Sequence, residues 1–107
     1  MGRKYVKVSD KVKELCYGEN EISDNAKNVL FILSICINRF NVAEVDNKYV
    51  DSKYITDSIR DGDINEVELG LKELYEKGII YHITKESKKG TELLYMLNEQ
   101  YYTLEEE

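Results

Sequence analysis

Residues 63–97 constrain this chain more than any other stretch. Asp63 precedes an apolar series, Ile64, Val67, Leu71, Leu74 and Tyr75, expected to face the core at the period of an amphipathic helix. Glu66 stands three residues after Asp63, as in a capping box. Gly78 follows the last periodic residue and supplies the left-handed conformation that ends many helices. Residues 79–84 and 92–97 are β-branched and aromatic runs. Between them lies a segment holding Lys85, Lys88, Lys89 and Gly90, which reads as a hairpin loop. The order is therefore helix, stop, strand, lysine-rich turn, strand.

The rest of the chain supplies more helices. Ser9 or Asp10 can cap a short helix to about Tyr17, and Gly18 ends it. Ser23 caps a second helix, expected to run to about Phe40. Its inward stripe is Ala26, Val29, Leu30, Leu33, Cys36, Ile37 and Phe40. Phe31, Ile32 and Ile35 exceed that stripe, and two uses are open for them: burial inside the monomer or a homodimer seam. Residues 42–45 can form a small strand that pairs with the hairpin. Asp51 or Ser52 caps a helix to about Arg60, and Asp61 with Gly62 marks a turn. Tyr101, Tyr102 and Leu104 can dock back on the domain. Residues 1–104 are expected to form one domain, with 105–107 a frayed acidic tail.

Composition narrows the function classes. The chain has 107 residues, 42% of them apolar, enough for one core of ordinary size. No apolar run reaches membrane-spanning length, and the basic start is followed by no apolar core, so a cytoplasmic location without membrane attachment is expected. Cys16 and Cys36 lie among apolar residues and read as reduced, buried thiols. His82 is the single histidine, so no metal site or cofactor is expected. There is no glycine-rich phosphate loop, nucleophile motif or paired carboxylate site, so an enzyme is not expected.

The net charge is −6, which argues against nucleic acid. Its distribution does not. Residues 1–13 hold Arg3, Lys4, Lys7, Lys11 and Lys13 against Asp10 alone, and the hairpin loop holds three lysines against Glu86. A solvated surface is the ordinary use of such lysines. Phosphate contact is the functional one.

Two helices joined by a tight turn and followed by a hairpin give an α+β winged helix-turn-helix of three or four helices with a C-terminal β-hairpin wing. Residues 72–80, KELYEKGII, resemble the LKELEEKGII phrase that closes recognition helices in MarR-type and related winged-helix regulators. Residues 94–98, LYMLN, followed by Tyr101 and Tyr102, resemble the YMINPxYF ending of Gram-positive plasmid replication proteins. Residues 4–8 and 26–31 are similar to the same family. The resemblance implies a plasmid or phage protein that binds double-stranded DNA and acts in replication initiation or transcription control. It places Asn65, Glu68 and Lys72 on the reading helix, Lys85, Lys88 and Lys89 on the wing, and Arg3 and Lys4 on an arm.

One departure from those families opens an alternative. Where their reading helices begin with serines, threonine and arginine, the outward residues here are Asn65, Glu66, Glu68 and Leu69. Glu66 is accounted for by capping. Glu68 and Leu69 suit a protein contact better, so a phage inhibitor or adaptor that shows an acidic helix to a host protein is the competing expectation.

Overall fold

The computed structural model describes residues 4–19 and 21–106. Among them are four helices and six strands, an α+β arrangement with three two-stranded antiparallel sheets. In chain order they are β1 (Lys4–Val8), α1 (Lys11–Tyr17), α2 (Asp24–Ile35), β2 (Glu44–Val45), β3 (Lys48–Tyr49), α3 (Ser52–Ser58), α4 (Ile64–Glu76), β4 (Ile80–Ser87), β5 (Gly90–Leu97) and β6 (Tyr102–Glu106). No helix among the described residues is long and apolar enough to cross a membrane.

The helix starts follow their caps. Ser23 accepts from the Ala26 amide, Asp51 from Tyr54, and Asp63 from both Asn65 and Glu66, so each side chain satisfies amides that have no partner in the first turn. At α1 the Ser9 hydroxyl takes the Lys11 amide at 3.2 Å, and Asp10 makes no capping bond. Helix α4 ends in a Schellman motif. The Gly78 amide donates to the Tyr75 carbonyl and Ile79 to Leu74, with Gly78 at φ +72.

Helix α2 stops five residues before the expected end. Asn38 Oδ1 accepts from the Phe40 and Val42 amides at 2.8 and 3.1 Å. This local capture competes with continued helix, and the chain reverses through Asn41 at φ +61. Phe40, expected inside, is consequently exposed. Asn41 is buried, and its Nδ2 donates to the carbonyls of Leu97 and Tyr102 at 3.2 and 2.8 Å. One side chain thus joins the base of the β4–β5 hairpin to β6. Next to it Val42 bridges Met96, and the Ala43 amide donates to Tyr95, so residues 41–43 extend the hairpin sheet at its base.

The core lies where α2, α3 and α4 meet the hairpin base. Leu33, Ile55, Leu74, Ile79, Ile80 and Leu97 are its largest fully buried members. The two long helices approach closely at Gly70. A Cβ there would stand 2.9 Å from the Asn25 carbonyl oxygen and 3.0 Å from Val29 Cγ2, so only glycine fits without parting the helices. A second link is polar: the Ser23 amide donates to Glu73 Oε2 at 2.8 Å.

That link carries a pH dependence. Burial raises the Glu73 pKa, but the Ser23 hydrogen bonds and the Lys77 charge outweigh it and hold the carboxyl below its ordinary value. A carboxyl depressed in the folded state stabilises fully above the ordinary carboxylate range, and that stability fades as pH falls through the folded pKa. Glu73→Gln should therefore lower the melting temperature at neutral pH and lose less on acidification than the parent. Thermal melts at pH 7 and pH 3 check this.

One reading of the sequence is corrected at the C-terminal end. Glu105 and Glu106, expected to fray, are paired in register with Tyr5 and Lys4 as part of β6; Glu107 is outside the described residues. The arm at residues 4–8 is accordingly one strand of a ribbon. Val6 and Leu104 pack against the core, as do Tyr101 and Tyr102.

Candidate nucleic-acid interface

The β4–β5 hairpin is longer than its composition indicates. Pairing continues to Ser87 opposite Gly90, leaving Lys88 and Lys89 as a two-residue turn. The Ser87 hydroxyl accepts from the Lys89 amide and donates to the Gly90 carbonyl, each at 3.2 Å, so the turn is held by its own hydroxyl. Only the base is buried. From Tyr81 to Leu93 every residue is exposed. Eight residues of strand span about 26 Å, so the hairpin stands out from the core with two lysines at its tip.

Lys85 lies within the strand, not the loop. It is registered opposite Glu92, and its Nζ lies 3.4 Å from the Tyr49 hydroxyl and 5.8 Å from the centre of that ring. Tyr49 comes from β3, on the small β2–β3 hairpin turned by Asp46 and Asn47, both at positive φ. That geometry is the tight turn favoured between short strands. Lys48, Lys85 and Lys89 line one open groove of about 780 Å³ together with Tyr49. Glu44, Asp51 and Glu92 line it too. Sequence reasoning missed Lys48 and Tyr49, although Asp46 and Asn47 between Val45 and Lys48 carry a turn signal.

Helix α4 presents a different chemistry. Val67, Gly70, Leu71 and Leu74 are buried; Asn65, Glu66, Glu68, Leu69 and Lys72 are exposed. Lys72 pairs with Glu76 at 3.8 Å, and Lys77 with Glu73 at 3.9 Å. Both lysines thus have a loose, solvated acidic partner on the same helix, and Glu66 and Glu68 have no ion pair among the described residues. Its start is poorly suited to an anion, because Asp63 already takes the first amides, and the small groove there holds Asp61 and Glu66 against Arg60 alone. Glu68 is close enough to Tyr95, with Asp51, to act on it: burial first, then these two negative charges, push the Tyr95 phenol up. Tyr75 stacks on His82 at 4.3 Å between ring centres and braces the helix end against β4.

The structure does not bring the arm to this region. Lys4 is in β1, opposite Glu106, and the ribbon springs from the base of the hairpin rather than from its tip. Arg3 lies outside the described residues. Of the proposed seam, Ile32 is buried in the core, whereas Phe31 and Ile35 are exposed; Ile32 is therefore removed from the exposed set. Among the described residues no group of three or more His, Cys, Asp or Glu side chains is placed to hold a metal ion.

No family model, curated protein or solved structure matches the chain.

Proposed function

We propose that this chain is a winged-helix domain that binds duplex DNA mainly through the phosphate backbone, with the β4–β5 hairpin as its wing. The observation that carries this reading is the exposed hairpin with Lys88 and Lys89 at its tip, following a capped helix pair and a glycine stop. In such domains the wing reaches the backbone beside the groove that holds the second helix. Lysine contacts to phosphate give affinity and orientation without sequence information.

The acidic α4 does not cancel the tip. Tyr95, whose phenol feels the Glu68 charge, lies six positions along β5 and its turn from Lys89, roughly 20 Å. Exposed charges that far apart are screened at physiological salt, where the Debye length is about 8 Å. The carboxylates instead keep α4 from lying deep against phosphates. Asn65 and Lys72 are the side chains on it suited to a base or backbone contact. Resemblance to Gram-positive plasmid replication proteins and MarR-type regulators supports a role in replication initiation or transcription control of a plasmid or phage.

A second reading rests on Leu69. It is 61% exposed, with Glu66 and Glu68 beside it, and such a projecting apolar residue fits a pocket on a basic protein surface. On that reading the domain is an inhibitor or adaptor and the hairpin lysines are dispensable.

A fluorescence anisotropy titration separates the two. Mixed-sequence duplexes should bind at low salt, with the logarithm of the binding constant falling linearly with the logarithm of salt concentration. Absence of binding to any duplex at low salt would overturn the DNA reading and leave the protein partner.

A further inference from the structure

Helix α2 carries a stripe that the fold leaves uncovered. Asp24, Asn28, Phe31 and Ile35 recur at steps of four, three and four residues and share one helix face. Phe31 is 62% and Ile35 61% exposed, although Leu30, Ile32 and Leu33 around them are buried. The middle of the stripe bears no charge. Its ends bear opposite charges: the Asp24 carboxylate, with a side chain 97% exposed, at the start, and exposed Arg39 just beyond the helix end. Lys27 beside it is held chiefly by Glu21 at 2.6 Å and lies 3.9 Å from the Asp24 carboxylate, a loose and solvated pair that leaves Asp24 able to meet a second cation.

We propose that this stripe is covered by a second copy of the chain, with the two α2 helices antiparallel about a two-fold axis near Phe31. A two-fold interface must be complementary to itself. Antiparallel pairing sets Phe31 against its own counterpart at the centre and Ile35 over Asn28 of the second copy. It also brings Asp24 to Arg39 of the second copy, once at each end. The length is compatible with this match: 11 steps of helix rise span about 17 Å from Asp24 to Ile35, and Arg39 follows four residues later in the turn at 38–41, its guanidinium 5.9 Å from the Phe40 ring. Chains of net charge −6 meet favourably only where like charges are not opposed. The exposed face of α4, with Glu66 and Glu68, opposes them; the α2 stripe does not. A helix pair of this length is smaller than the usual stable interface of about 800 Å² per partner, so the dimer forms in a concentration-dependent manner. Both hairpins stay free.

Sedimentation velocity without DNA tests this independently of the DNA reading. The wild-type protein should shift from monomer toward dimer as concentration rises from about 10 µM to about 1 mM, the range of a small interface. Phe31→Glu should stay monomeric throughout, with its helix content unchanged because the side chain is exposed. Asp24→Arg and Arg39→Asp should each weaken association roughly fivefold, and the double variant, which restores opposite charges, should recover it. A wild type that is monomeric at the highest concentration, a Phe31→Glu protein that still dimerises, or a double variant as weak as the single ones would overturn the proposal.

Discussion

Replacing Asn41 by alanine should destabilise the fold by about 2–4 kcal/mol and lower its melting temperature by about 10–20 °C. Two contributions add. The Leu97 and Tyr102 carbonyls each lose a buried donor, and an unsatisfied buried group costs about 1–3 kcal/mol. Alanine must also hold the φ of +61 that asparagine tolerates, at about 1 kcal/mol. Asn41→Gly removes the second contribution but not the first, so it should fall between the parent and Asn41→Ala. Chemical denaturation of the three proteins measures the difference. If the alanine variant is as stable as the parent, this side chain does not hold the hairpin base to β6.

The second large effect concerns the proposed wing. Changing Lys85, Lys88 and Lys89 together to alanine should weaken duplex binding on the order of a hundredfold at about 0.1 M salt. It should lower the salt slope by up to about 2.7, at about 0.9 per lost phosphate contact. The loss should be alike for different sequences, because phosphate contacts carry no base information. Lys88 and Lys89 should account for most of it. Lys85 is already engaged with Tyr49 and faces Glu92 across the hairpin, so its single replacement should cost least. The hairpin itself should survive, since its turn is held by Ser87 and its base is buried. Anisotropy titrations at several salt concentrations give both the affinity and the slope.

The parts of this fold that were legible are those with local causes. Asp63, Gly78 and the two β-rich runs act within a few residues of themselves, and the order from α4 to β5 follows from them. The end of α2 was not legible, because apolar spacing continues through Ile37 to Phe40 while Asn38 captures the amides a longer helix needs. The β1–β6 ribbon was not legible either. Its strands lie at opposite ends of the chain, and a run of glutamates looks like solvated tail until a partner strand takes up the backbone groups of Glu105 and Glu106. Excess apolar residues on α2 were visible in the periodicity. Which of them lies outside was not: Ile32 is one position from Phe31 yet is rotated about 100° around the helix into the core. At the candidate interface, lysines and glutamates were visible as charges. The approach of Lys48 and Tyr49 to Lys85 depends on tertiary placement.

The central claim is that DNA meets the hairpin first and α4 only secondarily. Two-dimensional amide NMR spectra of the protein, recorded while a short mixed-sequence duplex is added at low salt, test it most directly. The account predicts saturable shifts concentrated at residues 85–90, smaller ones at Asn65 and Lys72, and none at the buried core around Leu33. Shifts confined to residues 66–69, or no shifts at any duplex concentration, would contradict it.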